Sequence, residues 1–192
     1  MSATAPEAQA VLDFWFGPAP LAARPQWFTK STAFDTEIRE RFGALIEAAL
    51  RGGLDAWQAA PETALARVLV LDQFTRNAFR DTPRAFAGDA QALAGARDMV
   101  RRGFDQALAP LQRVFAYLPF EHAEDLRSQE EALRLYAALS AAEPSLADNE
   151  EWAKKHHVII QRFGRFPHRN ALLGRASTPE EVEFLKQPGS RF

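Results

Sequence analysis

Apolar residues recur at intervals of three and four along most of the chain, the spacing of one helix face, and no alternating pattern lasts long enough to define a strand. Val11, Leu12, Trp15 and Phe16 share one side of a first helix over Pro6 to Phe16, closed by Gly17 and Pro18. Phe34, Ile38, Phe42, Leu45, Ile46 and Ala49 predict a long helix over Thr32 to Leu50, ended by Gly52 and Gly53. Trp57 falls in a short connecting turn. From Pro61 to about Phe79, Leu65, Val68, Leu69, Leu71 and Phe74 nearly encircle the axis, the pattern of a central buried helix. Asp89 is expected to cap a helix carrying Ala92, Leu93, Met99 and Val100, and Pro110 to start another through Phe115 and Tyr117. Ser128 with Glu131, and Asp148 with Glu151, read as capping boxes for two further helices, the first ending near Ala142. Thr178-Pro179-Glu180-Glu181 opens a last short one. The predicted fold class is all-α: one domain over residues 1–192 with about eight to ten helices, residues 1–5 forming a flexible N-terminus. Leu69, Leu71, Phe74, Ile159 and Phe163 are its expected core.

The stretch from Trp152 to Arg175, WAKKHHVIIQRFGRFPHRNALLGR, changes this picture. It holds three of the four histidines, is rich in lysine and arginine, and lacks any acidic residue. Trp152, His156, Ile159 and Phe163 form a helical stripe, with His157, Gln161 and Arg165 on the neighbouring polar line. His156 therefore reads as a satisfied, partly buried side chain, and His157 as the more exposed candidate for chemistry. Gly164 suits a left-handed helix end, Phe166 before Pro167 is biased to extended backbone, and a second short helix is expected from about His168 to Leu173. Free N–H groups at its start, with Arg165, His168 and Arg169 around them, would make an anion site. The preceding segment, Pro119 to Glu151, holds nine acids and two arginines. That change of sign suggests that the two segments pair across an antiparallel helix contact.

Composition narrows the class of protein. Hydrophobic residues make up 47% of the 192 positions, enough for a sizeable core and too many for a disordered chain. A net charge of −2 gives no global attraction to nucleic acid or to a membrane surface. Cysteine is absent, which excludes disulfides and thiolate metal sites and fits a reducing cytoplasm. No signal peptide or membrane-length apolar run is present.

Two other stretches share the mix of charge and aromatics. Leu71 to Arg80, LDQFTRNAFR, places Asp72, Arg76 and Arg80 on one helical line and Gln73 and Asn77 on the next. Tyr117 to Asp125, YLPFEHAED, carries the fourth histidine, His122, with Glu121 and Asp125 four apart. Bland readings stand beside each: an ion-pair ladder for the first, helix capping for the second, arginines on helix-end carbonyls for the third. No HExxH, no Glu-x-x-His pair, no Gly-x-Ser-x-Gly elbow and no glycine-rich nucleotide loop occurs, so no metal is expected and no cofactor is indicated.

LDQFTRNAFR, then AFAGDAQAL, then YLPFEHAEDLRSQE, then RFGRFPHRNALLGR, resembles the bacterial family known as domain of unknown function 924, over nearly the whole chain. The resemblance implies a tetratricopeptide-like (TPR-like) right-handed stack of antiparallel helices and implies no activity. The three polar stretches are expected to meet at one cleft that takes a small anionic ligand. Its expected lining is Asp72, Gln73, Arg76, Asn77, Arg80, Tyr117, Arg165, His168, Arg169 and Asn170. Two other readings stand open: an enzyme using His157, His122, Asp125 and Glu121 for acid–base chemistry, and a protein-interaction adaptor on analogy with tetratricopeptide arrays.

Overall fold

The computed structural model describes residues 5–191; the N-terminus expected to be flexible lies, Ala5 apart, outside them. The described residues are helical without a strand. They divide into two compact units, residues 5–80 with 84–119, and residues 81–83 with 120–191.

The first unit contains α1 (Pro6–Phe16), α2 (Thr32–Leu50), α3 (Pro61–Leu69), α4 (Thr75–Ala78) and α5 (Asp89–Arg101). Helix α6 (Pro110–Glu121) completes it and carries the chain onward. Proline at the first position of α1, α3 and α6 fits because the N–H it lacks has no intrahelical partner there. The core is aromatic. The Trp15 ring stands 5.6 Å from Phe74 and 5.5 Å from Phe115, the latter edge-on, and Phe42 lies 4.9 Å from Phe74. Each such pair adds about 0.5–1.5 kcal/mol beyond simple burial. As the pattern predicts, Leu69, Leu71 and Phe74 are fully buried.

Helices α3 and α4 are joined by one wide π-helical turn, Val70–Phe74. Side chains satisfy carbonyls around this turn: the Thr75 hydroxyl donates to Leu71 O at 2.8 Å, and Arg76 Nη1 to Asp72 O at 2.7 Å. Gly88 passes directly against it. A Cβ there would sit 2.1 Å from Leu71 O, so only glycine fits, although its φ of −92° is open to any residue. Asp89 is consequently the first residue of α5 and not its cap; Gly88 is the cap.

The second unit contains α7 (Leu126–Ala142), α8 (Ala147–Phe163) and the short α9 (Pro179–Phe184). The long pair α7 and α8 pack together across a four-residue connection. Their caps differ from expectation. Asp125, not Ser128, caps α7, its carboxylate accepting from Ser128 N at 2.9 Å and Ser128 Oγ at 2.7 Å. Asp148 lies inside α8, which starts at Ala147 with no side-chain cap. Thr178 and Glu181 do form a capping box on α9. The buried face of α8 is Ala153, His156, Ile159 and Ile160. Trp152, expected on that face, is 49% exposed, and Phe163 is half-buried against Phe184, 5.0 Å away.

Two glycines give opposite expectations. Gly88→Ala forces backbone against Leu71 O and should cost about 3 kcal/mol or more. Gly43→Ala, within α2 and with open space around the added Cβ, should stabilise by up to ~1 kcal/mol. Urea unfolding of the two variants beside wild type checks both; a tolerated Gly88→Ala would contradict the close approach.

Candidate functional site

Within the first unit the polar residues of Leu71 to Arg80 are drawn to two carboxylate centres. Arg76 bridges Asp72 at 3.0 Å and Asp89 at 2.8 Å, while Gln73 donates to Asp72 at 2.6 Å. Burial pulls the Arg76 pKa down, but Asp72 and Asp89 outweigh it and hold the guanidinium charged. Arg80 leaves the expected line. Helix α4 stops at Ala78, and Arg80 instead forks onto Asp35 of α2 at 2.6 and 2.8 Å, with Asn77 donating to the same carboxylate at 2.8 Å. Burial raises the Asp35 pKa, yet Arg80 and Asn77 bring it below its ordinary value. Tyr117 donates to the buried Asp105 at 2.7 Å. Asp35, Asp89 and Asp105 lie outside the three stretches; the sequence marks Asp89 only as a helix start, and no local pattern ties any of the three to these partners.

The second unit gathers the histidines. His156 Nδ1 lies 3.0 Å from Glu121 Oε1 and 2.9 Å from Trp152 O. Both neighbours are acceptors, so Nδ1 carries the proton and Nε2 is the acceptor. The His122 ring centre is 6.3 Å from that of His156, and Phe166 meets His156 edge-on at 5.5 Å and His168 at 5.7 Å. The Arg169 guanidinium stacks over Phe166 at 4.5 Å and is only 6% exposed. A carboxylate 3.0 Å away favours a charged imidazole and burial favours a neutral one. With both groups more than nine-tenths buried, desolvation decides. Burial pushes His156 down to about 3, and the positive charge of His122, Arg169 and His168 acts in the same direction. Burial and then Arg169 push His168 down to about 4.

The cluster rests on the corner after α8. Gly164 ends that helix in the left-handed region, φ 69°, and Phe166 is extended, both as the sequence predicts. The expected second helix is reduced to one 3-10 turn, Pro167–Arg169, followed by a tight turn. The carboxylate of Glu124 sits at this corner. It accepts Phe166 N at 2.8 Å and both Nη groups of Arg175, at 2.5 and 2.9 Å. Burial raises the Glu124 pKa, and Arg175, the Phe166 N–H and Arg169 together bring it below its ordinary value. Arg165 is committed elsewhere: it forks onto the buried Glu181 at 2.7 and 2.8 Å. That contact, helped by Thr178 N–H, holds Glu181 at about 2. Asn170 joins the two groups, its amide donating to Ser177 at 3.0 Å and its carbonyl accepting from Arg175 at 3.0 Å.

Several expectations change accordingly. Among the expected acid–base groups, Glu121 and His122 lie in the cluster, but Asp125 is the α7 cap. His157 stands half-exposed on α8, with no side-chain hydrogen bond among the described residues. His156, which the sequence reads as a satisfied, partly buried side chain, meets the carboxylate of Glu121. Glu124 is missed because its partners, Phe166 and Arg175, lie 42 and 51 residues further along the chain. Gln129 is also missed. Fully buried, it donates to Glu121 O at 2.6 Å and Ala123 O at 2.9 Å, and so holds the turn that carries Glu121 and His122.

These features define an all-α protein with a buried cluster of histidine, arginine and carboxylate in its C-terminal unit. The chain matches, over residues 11–189, the family described as "Bacterial protein of unknown function (DUF924)", and it belongs to that family. It is similar to a solved structure of a protein of unknown function from Agrobacterium tumefaciens. The two are 42% identical, with a TM-score of 0.84, across 94% of this chain and 97% of that one. No curated protein matches the chain. Among the described residues no helix is long and apolar enough to cross a membrane.

The histidines set a pH dependence. In the unfolded chain each imidazole takes a proton near 6.5; in the folded protein His168 and His156 stay neutral down to about 4 and about 3. The stability they contribute is full above pH 6.5 and is lost as the pH falls toward those values. Unfolding free energy should drop between pH 6.5 and 4 with a slope approaching about 1.4 kcal/mol per pH unit for each group. His168→Gln should flatten that slope by one such increment in urea titrations across this range; an unchanged slope would mean that His168 is charged in the folded protein.

Proposed function

We propose that the second unit binds a small anion, a carboxylate or a phosphate, at Arg169 among His122, His156 and His168. The observation that carries this reading is the convergence of three histidines on one buried arginine around Phe166. A guanidinium offers forked donors to an anion, and the interaction is strengthened where water is largely excluded. Arg169 and His122 act as positive neighbours on both His156 and His168, and Glu124 acts as a negative one on His168. An anion beside His168 would raise that imidazole's pKa from about 4. Binding would then take up protons, and affinity would rise as the pH is lowered from 7 toward 5.

One observation favours an enzyme: the contact between Glu121 and His156, with the proton on Nδ1 and Nε2 left as acceptor. An imidazole held near 3, however, is a weak base at neutral pH, so binding is the stronger reading. An adaptor role, which a tetratricopeptide-like stack would suggest, has no observation of its own.

The test is a panel of small carboxylates and phosphates screened by thermal shift at equal ionic strength. Equal salt matters because phosphate stabilises proteins nonspecifically. At a ligand concentration 100-fold above Kd, folded-state binding adds about 2.7 kcal/mol, which raises Tm by roughly 5–11 °C for a chain of this size. Arg169→Met should abolish the shift, and Arg169→Lys, which keeps the charge without the fork, should retain part of it. Equal shifts in wild type and both variants, or none in any, would reject the reading.

A further inference from the structure

The segment after α9 leads back to the histidine cluster. It starts from a fixed point, because Glu181 of α9 is buried and takes the fork of Arg165. Gly189, at a φ of 76°, turns the chain against α8, where it borders a groove with Lys155 and Ile159, the residues one before and three after His156. Ser190 then faces inward and is 3% exposed, its N–H donating to Gln187 O at 3.3 Å and its hydroxyl to Leu185 O at 3.2 Å. Arg191 follows at the surface, held by that anchored neighbour, and its positive charge acts on His168. Two guanidinium groups therefore act on one imidazole: Arg169, buried on the Phe166 ring, and Arg191, exposed. Among the described residues Arg191 has no carboxylate within ion-pair distance. The acids of this region are turned to internal donors, Glu124 to Arg175 and the Phe166 N–H, and Glu121 to the Nδ1–H of His156. Arg169, Arg175 and Arg191 outnumber those two carboxylates.

We propose that the anion bound at Arg169 is a short dicarboxylate, one carboxylate on Arg169 and the other on Arg191, with Arg191 the residue that selects it. This rests on the anion reading for Arg169 and adds to it a second acidic group. Two guanidinium forks at different depths reward a ligand charged at both ends. A monocarboxylate engages one of them, and inorganic phosphate concentrates its charge at a single centre. The excess of arginine over carboxylate matches the first negative charge, and a proton taken up by His168 on binding matches the second.

Butyrate, succinate, glutarate and inorganic phosphate are titrated calorimetrically at equal ionic strength into wild type, Arg191→Gln, Arg191→Lys and Arg169→Met. Succinate or glutarate should bind wild type about fivefold more tightly than butyrate, the worth of one exposed ion pair. Arg191→Gln should bring the diacid down to the level of butyrate and leave butyrate itself unchanged, and Arg191→Lys should restore most of the difference. Arg169→Met should lose every ligand. Arg191 is exposed, so an unchanged Tm in both of its variants is expected and shows that the fold is intact. Butyrate binding as tightly as both diacids, or an Arg191→Gln variant that weakens butyrate and the diacids alike or neither, would overturn the proposal and leave the anion reading for Arg169 standing. So would phosphate binding more tightly than either diacid. Wild type that binds none of the four would remove both readings together.

Discussion

The carboxylate of Glu124 is where the C-terminal half of the second unit is tied down. One side chain accepts the Phe166 amide at the corner after α8 and both Nη groups of Arg175 from the far side of the turn. Glu124 is only partly buried, and its donors hold the oxygens that face the protein; losing one would leave that side of the charge uncompensated. Phe166 is placed by that bond. Its ring then serves as the surface on which Arg169 stacks and against which His156 and His168 pack. The corner that the sequence offers to an external anion is furnished with an internal one.

Helix existence was legible from spacing; helix starts were less so. The bounds of α1 and α2 follow from apolar periodicity with proline and glycine punctuation, because those signals are local. Capping is local too, but it offers competing solutions. Asp125 and Ser128 can both cap a helix, and the structure uses the first while hydrogen-bonding it to the second. The burial of α8 is rotated from the expected stripe, since Trp152 finds a partner in Lys155 at the surface and His156 turns inward to Glu121. No sequence pattern announces that pairing, which joins residues 35 positions apart within the second unit.

The candidate site was legible in part for the same reason. The three histidine-bearing or arginine-bearing stretches were visible as unusual mixtures of charge and aromatics, and three histidines with Glu121 and Arg169 do converge. The partners that decide each residue's role were not visible. Arg165 reads as an anion ligand until Glu181 is seen beneath it, and Arg80 reads as part of a ladder until Asp35 is found across from it. Such partners lie far away in sequence, and a single chain carries no mark of them.

The wide turn at Val70–Phe74 has a consequence for how this helix tolerates change in length. An α-helix advances about 100° per residue, so one residue accommodated in a wider loop shifts the angular phase of everything after it. Arg76 and Asn77 point at Asp89 and Asp35 in that shifted phase. Removing a single residue from this turn would let it tighten to an ordinary α-turn and keep both side chains near their carboxylates, whereas a deletion within α3 would swing them by about 100°. The turn therefore acts as a phase adjuster, letting one continuous rod present a core face before it and an anchoring face after it.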